Sequence, residues 1–216
     1  MRRRLCGSIS ADSTFPYTVH QPMFVMIEIY DLARPSPSGS AIMRYNICSR
    51  VWDDDGRPVR HTAIAQGQYC ISDDPNAVIT TVLGSCVAAC IRDPQRGIGG
   101  MNHFVLPHSP TPGKEDPDLS RYGDYLTPCL IDALLAKGAK LQRLEAVVFG
   151  GASPSASFYN VGERNLAFAL DFLADRGIPI INAPRLGSLG CRLEYWPVSG
   201  KVTQTPLGAP QARSSG

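Results

Sequence analysis

The chain predicts an α+β fold with mixed sheets. Its short apolar, β-branched runs come in clusters, only two stretches carry apolar residues at helical spacing, and the two kinds of segment do not alternate as a doubly wound parallel fold requires. In order, residues 64–71 read as a strand and Asp73-Asp74-Pro75-Asn76 as a turn. Residues 77–82 form a second, β-branched run leading into Gly84-Ser85-Cys86. Two further apolar runs, 87–91 and 104–106, flank a turn-rich centre with Asp93-Pro94 and Gly97 to Gly100, which predicts strand, turn, strand. Residues 108–118 hold three prolines and a glycine and read as a mobile loop. A helix is predicted over 125–137, with apolar residues at 126, 130, 133, 134 and 135 and Gly138 as its stop. Asp124 would lie near its positive end. Pro128 is tolerable there only within the first turn. Residues 145–149 read as a buried strand running into Gly150-Gly151-Ala152. A second helix over 164–175 turns Leu166, Ala169, Leu170 and Leu173 inward and ends at Gly177. Strands are expected at 178–182, 192–198 and 201–205, the last two joined by a Ser199-Gly200 turn.

With 216 residues, 44% of them apolar and 19% charged, the chain can bury a sizeable core. Residues 63–205 carry the regular texture of one domain. Residues 1–62 are interrupted by proline, serine and glycine and hold one strand-like run, 24–30, so they read as a variable, weakly ordered extension. The stretch 206–216 reads as a flexible tail. A net charge of +2 is too small to suggest nucleic acid or an anionic membrane surface. No apolar run approaches the roughly 20 residues of a membrane span. The arginines after Met1 are not followed by an apolar segment, so no signal peptide is read and the cytoplasm is the expected location. Seven cysteines, odd in number and without a CxxC pair, are neither a disulfide framework nor a zinc ribbon.

The chemistry centres on residues 79–108. The return of the chain would bring Cys86 and His103, seventeen positions apart, to the mouth of one hairpin, and a thiol beside an imidazole is a nucleophile with its base. Gly84 permits close approach of a substrate, and the N–H groups of Gly84 and Ser85 could receive an oxyanion. Each residue also has an ordinary reading: a cysteine beside an apolar run is usually packing, and a single histidine is usually a satisfied core or loop residue. Cys86, Cys90, His103 and His108 as four zinc ligands fit no common spacing. Gly150-Gly151 after a strand is weak as a phosphate cradle without a P-loop lysine, and a tight turn near the site is the simpler reading. Arg164 and Asn165, opening a helix, could contact a ligand, though such residues are usually caps or solvated.

The blocks LGSCVAACIRDP, GGMNHFVLP, RYGDY, LEAVVFGGA and VGERN, in this order and at these intervals, resemble the CheD family of chemoreceptor glutamine deamidases. The resemblance runs from about residue 64 to 202. It implies a fold of two packed mixed sheets flanked by helices, in α/β/β/α layers similar to toxin-type cysteine deamidases. It also implies a site of cysteine, histidine and an upstream threonine. Cys86 and His103 match the first two, and the third falls on Thr80 or Thr81, with a spacing of six favouring Thr80. Asn102, from the Asn-His-Phe block, joins Gly84 and Ser85 as an oxyanion or substrate-binding candidate. Three departures stand out: Leu126-Thr127-Pro128-Cys129 at a usually uninterrupted helix start, Val147 where lysine is common, and Leu186-Gly187-Ser188 for a Gly-Gly pair. The implied reaction is hydrolysis of receptor glutamine side chains to glutamate through a Cys86 thioester, with a thiolate–imidazolium pair, without metal or organic cofactor. The implied partners are methyl-accepting chemotaxis receptors and a CheC-type phosphatase. The alternative is a regulatory protein that docks on those partners without catalysis.

Overall fold

The computed structural model describes residues 47–52, 58–109, 118–152, 160–182, 184 and 189–207. Among these are nine strands in two sheets, and two α-helices, an α+β fold. The first sheet has the order β1(Ile47–Trp52), β2(Pro58–Ala63), β4(Ala77–Leu83), β8(Cys191–Tyr195), β9(Val202–Pro206). It is mixed, since β2 runs parallel to β4 and the other pairs are antiparallel. The second sheet, β3(Gln68–Ser72), β6(Ile98–His103), β5(Val87–Asp93), β7(Glu145–Gly150), is antiparallel throughout.

Two cores separate three layers. Between the sheets lie Ile79, Leu83, Ala88, Cys90, Met101, Leu193 and Tyr195, all buried. Between the second sheet and the helices lie Val87, Ala89, Ile91, Phe104, Leu130, Leu134, Val148 and Leu173. In β5, alternate residues therefore feed different cores, which explains a strand without the polar half of an alternating pattern. Both described helices, α1(Gly123–Ala136) and α2(Val161–Asp175), pack on the second sheet. Among the described residues the two packed sheets with helices against the second agree with the expected α+β fold of two sheets and helices.

Several elements differ from the sequence expectation. β1 and β2 lie within the segment read as an extension, and β2 hydrogen bonds into the sheet beside β4. The run 24–30 and Leu186-Gly187-Ser188 lie outside the described residues. β6 is not 104–106 but Ile98–His103, the stretch whose glycines read as turn. Those glycines serve packing: a Cβ on Gly99 would lie 2.6 Å from the Pro197 carbonyl oxygen, and one on Gly100 would lie 2.5 Å from that of Cys70. Only Gly97, at φ 65°, is the turn glycine. Phe104 follows as a single bridge to Val87, and 178–182 contributes only the bridge of Ile180 to Ala146. Helix α1 begins earlier than its apolar spacing indicates, because the Leu106 and Pro107 carbonyls accept from the Gly123 and Asp124 N–H groups. Pro128 is consequently the sixth helical residue, beyond the first turn, and leaves the Asp124 carbonyl without its helical donor.

The turn between β5 and β6 is held by Asp93, which is fully buried. One carboxylate oxygen accepts from the Gln95 and Arg96 N–H groups, at 3.1 and 3.0 Å. The other accepts from the Lys140 N–H at 3.0 Å and from Arg143 at 2.9 and 2.6 Å. Burial alone pushes this carboxyl up, but the Lys140 and Arg96 N–H groups and the Arg143 guanidinium outweigh it, and the group sits below its ordinary value. Because the folded value is depressed, the contribution is present above the unfolded carboxylate pKa of about 4 and is lost as pH falls through the folded value. Asp93→Ala is expected to lower unfolding free energy by about 3 kcal/mol in urea titrations at pH 7. The gap between wild type and variant is expected to narrow below about pH 4.

Candidate active site

Strand alternation turns two of the candidate side chains, Thr81 and His103, toward the inter-sheet core, and Cys86 joins them from the turn before β5. In β4, Ile79, Thr81 and Leu83 are buried, whereas Val82 is 49% exposed. In β6, His103 shares the parity of Met101, which lies in the inter-sheet core. Cys86, just before β5, belongs to the same core. Of the two candidate threonines it is Thr81, not Thr80, that meets the histidine: its Oγ1 lies 2.8 Å from His103 Nδ1. Thr80, one position earlier, projects from the other face of the sheet and lines the adjoining cleft.

The proton arrangement follows from this geometry. The Thr81 hydroxyl donates to the Ile64 carbonyl at 2.8 Å. A hydroxyl has one proton, so toward His103 Thr81 can only accept, and Nδ1 carries the hydrogen. The lone pair is then on Nε2, which is buried and has no hydrogen-bond partner. Burial lowers the His103 pKa to about 4 and pushes the Cys86 thiol up, its own backbone N–H only partly offsetting this. Burial thus favours the uncharged form of each group, which works against the thiolate–imidazolium expectation, since desolvation penalises both charges.

The Gly84-Ser85-Cys86 segment is anchored by its carbonyls. Gly84 O accepts from the Ala152 N–H at 2.8 Å, and Cys86 O from the Gly151 N–H at 2.9 Å. Ser85 O accepts from Asn165 Nδ2 at 2.9 Å. A trans peptide points its C=O and the next N–H in opposite directions, so anchored carbonyls turn the N–H groups of Ser85 and Cys86 the other way. No described protein group outside the segment pairs with them. Gly150 and Gly151, at φ 106° and 72°, make the anchoring possible: a Cβ on Gly150 would lie 2.2 Å from the Cys86 carbonyl oxygen. They are the tight turn beside the site and not a phosphate cradle. Gly84 itself has no positive φ and no neighbour within 4 Å of a built Cβ, so neither turn nor packing demands it.

The remaining candidates fall into place. Asn102 is fully buried, with Oδ1 accepting from the Ala89 N–H at 2.9 Å and Nδ2 donating to Thr127 at 3.0 Å. Its side chain ties β5 and β6 to α1, on the face away from Cys86. His108 is exposed and pairs with Asp124 at 3.2 Å. Asn165 is not a solvated helix-start residue: it is fully buried, and Nδ2 also donates to the Val105 carbonyl at 2.8 Å. It thereby joins the segment before Cys86 to the segment after His103. Its position in the Gly-Glu-Arg-Asn block was the available sequence signal. Gln66, which sequence reasoning passed over, donates from Nε2 to Cys86 Sγ at 3.6 Å. A cleft of about 340 Å³ opens beside these groups, lined by Ile64, Gln66, Thr80, Thr81, His103 and Arg192.

A buried thiol, a neutral imidazole and an orienting hydroxyl between two sheets are the parts of a cysteine hydrolase. The family model for CheD chemotactic sensory transduction matches residues 105–205. A probable chemoreceptor glutamine deamidase CheD of Rhizobium etli is 54% identical over 156 residues, covering 72% of this chain and 85% of that one. Its counterpart in Caulobacter vibrioides is 51% identical over 160 residues, covering 74% and 84%. That of Agrobacterium fabrum is 51% identical over 152 residues, covering 70% and 83%. The chain belongs to the CheD family.

Two measurements test this geometry. The His103 imidazole is expected to titrate near pH 4 by NMR, with Nδ1 protonated above that. Since its folded value lies below the unfolded one, stability from keeping it neutral declines as pH drops below about 6.5. Thr81→Val removes the acceptor for Nδ1–H and is expected to slow turnover about tenfold, one hydrogen bond's worth. Thr80→Val is expected to leave kcat unchanged.

Proposed function

We propose that this protein hydrolyses selected glutamine side chains of methyl-accepting chemotaxis receptors to glutamate, with Cys86 as nucleophile and His103 as base. The observation that carries the reading is the Thr81–His103 contact, which leaves the buried Nε2 lone pair without a partner, with Met101 of the same strand face and Cys86 in one inter-sheet core. The names of the relatives, chemoreceptor glutamine deamidases, support the substrate class.

In the first half-reaction the Cys86 sulfur attacks the carboxamide carbon while its proton passes to His103 Nε2. A neutral pair separates charge only as the bond forms, so the cost of burial falls on the step where substrate dipoles and N–H donors offset it. The N–H groups of Ser85 and Cys86, turned outward by their anchored carbonyls, receive the oxyanion. His103 returns the proton to the departing nitrogen, ammonia leaves, and a thioester remains. In the second half, water adds to the thioester carbonyl as His103 takes its proton, and the sulfur departs and is reprotonated. The net change is glutamine and water to glutamate and ammonia. No step calls on a metal or an organic cofactor.

The product exchanges a neutral amide for a carboxylate on a receptor helix, changing the charge that neighbouring helices meet. On this reading the substrate helices lie on the cytoplasmic side of the receptor and the reaction runs in the cytoplasm. Among the described residues no helix is long and apolar enough to cross a membrane. A CheC-type phosphatase is a further partner on this reading.

Receptor cytoplasmic fragments incubated with the protein are expected to gain about 1 Da at individual glutamines, the mass difference between NH₂ and OH. Cys86→Ala is expected to reduce the gain to the uncatalysed background. Equal gain with wild type and Cys86→Ala would remove Cys86 as nucleophile. No gain with either, together with retained receptor binding, would establish the non-catalytic docking role instead.

A further inference from the structure

We infer that Gln66 is a catalytic residue whose side-chain amide donates to the oxyanion alongside the Cys86 N–H. The inference rests on Cys86 being the nucleophile. Gln66 is exposed, yet the short crossing from β2 to β3 that carries it is fixed at both ends. Before it, the Ile64 N–H donates to the Thr80 carbonyl at 2.9 Å and the Ile64 carbonyl accepts from the Thr81 hydroxyl at 2.8 Å. After it, the Gly67 N–H donates to the His103 carbonyl at 2.7 Å, with Gly67 at φ 76°. Within it, the Ala65 N–H donates to Gln68 Oε1 at 2.7 Å, and the Gln68 N–H to the Ala65 carbonyl at 3.1 Å. The segment that carries Gln66 is therefore tied to the backbones of His103 and Thr80 and to the hydroxyl of Thr81.

From that fixed base the amide reaches Sγ, with Nε2 at 3.6 Å. Sulfur is a weak acceptor, so this contact contributes little to holding the turn. The same position has a stronger acceptor during reaction. When Sγ bonds to the carboxamide carbon, the developing oxyanion lies only two bonds from Sγ, within reach of a donor already against the sulfur. Gln66 also lines the cleft with His103 and Thr81, so a glutamine side chain entering there meets its amide before the thiol, which is 6% exposed. The second donor, the Cys86 N–H, belongs to the peptide whose carbonyl Asn165 holds. One side-chain amide and one backbone N–H then converge on a single oxygen, the usual composition of an oxyanion hole.

The full-length chain is assayed on receptor cytoplasmic fragments by the 1 Da gain, and Cys86 is separately alkylated with iodoacetamide. Alkylation displaces iodide at a saturated carbon and develops no oxyanion, so it reads the thiol alone. Gln66→Ala and Gln66→Glu, at an exposed position, are expected to keep the wild-type Tm. Each is expected to lower kcat about 10²-fold with little change in KM. The alkylation rate of Gln66→Ala is expected to equal or exceed that of wild type, since the cover over Sγ is removed. Wild-type kcat in Gln66→Ala would overturn the inference, as would a parallel fall in alkylation, which would assign Gln66 to the thiol rather than the oxyanion. If Cys86→Ala is silent while Gln66→Ala is fully active, only the role of Gln66 fails. If Cys86→Ala still deamidates, the nucleophile itself is wrong.

Discussion

The site depends on the destination of one proton, that of the Thr81 hydroxyl. Because it goes to the Ile64 carbonyl, the imidazole must donate from Nδ1, and the basic lone pair must lie on Nε2. The Ile64 carbonyl is available because the chain leaves β2 and crosses to the second sheet at that residue. A crossover between sheets, a threonine on the inner face of β4 and a histidine at the end of β6 thus act as one device. Moving Thr81 by one residue would turn its hydroxyl to the other face of the sheet and leave the tautomer unspecified.

The second constraint is close backbone approach. The Gly150-Gly151 turn presses against Cys86, and a Cβ on Gly162, at the start of α2, would lie 2.4 Å from the Gly151 carbonyl oxygen. Helix α2 can thereby sit low enough for Asn165 to bridge the Ser85 and Val105 carbonyls. The anchoring of the Gly84-Ser85-Cys86 segment is a property of three glycines and one buried amide. None of these four residues carries the reacting group.

Much of the fold was legible in the sequence, for reasons of period. Strands β4, β5 and β7 and helix α2 show as apolar runs or helical spacing, and their bounds come within a few residues. Strand β6 was misread because Gly99 and Gly100 look like turn residues, whereas tight neighbours across the sheet require them. Strands β1 and β2 were hidden, since segments of mixed composition such as Pro58–Ala63 gain their order from pairing on both sides, not from apolar content. Cys86 and His103 stood out by residue type. The choice between Thr80 and Thr81 needed the sheet, because it is decided by which face is buried and not by spacing. Gln66 and Asn165 carried no distinguishing signal beyond position, since an amide is common on any surface and acquires meaning only from what it touches.

The burial of the Cys86 thiol also bears on how the protein meets oxidants. Peroxides and electrophiles consume thiolates, and a thiol buried between sheets, its pKa pushed up by desolvation, offers them less of that form. On the proposed mechanism the sulfur becomes a strong nucleophile only while a carboxamide fills the cleft, when bond formation and proton transfer to Nε2 proceed together. Its reactivity is then greatest within the encounter complex, and between encounters burial keeps the same atom a slow thiol within the core.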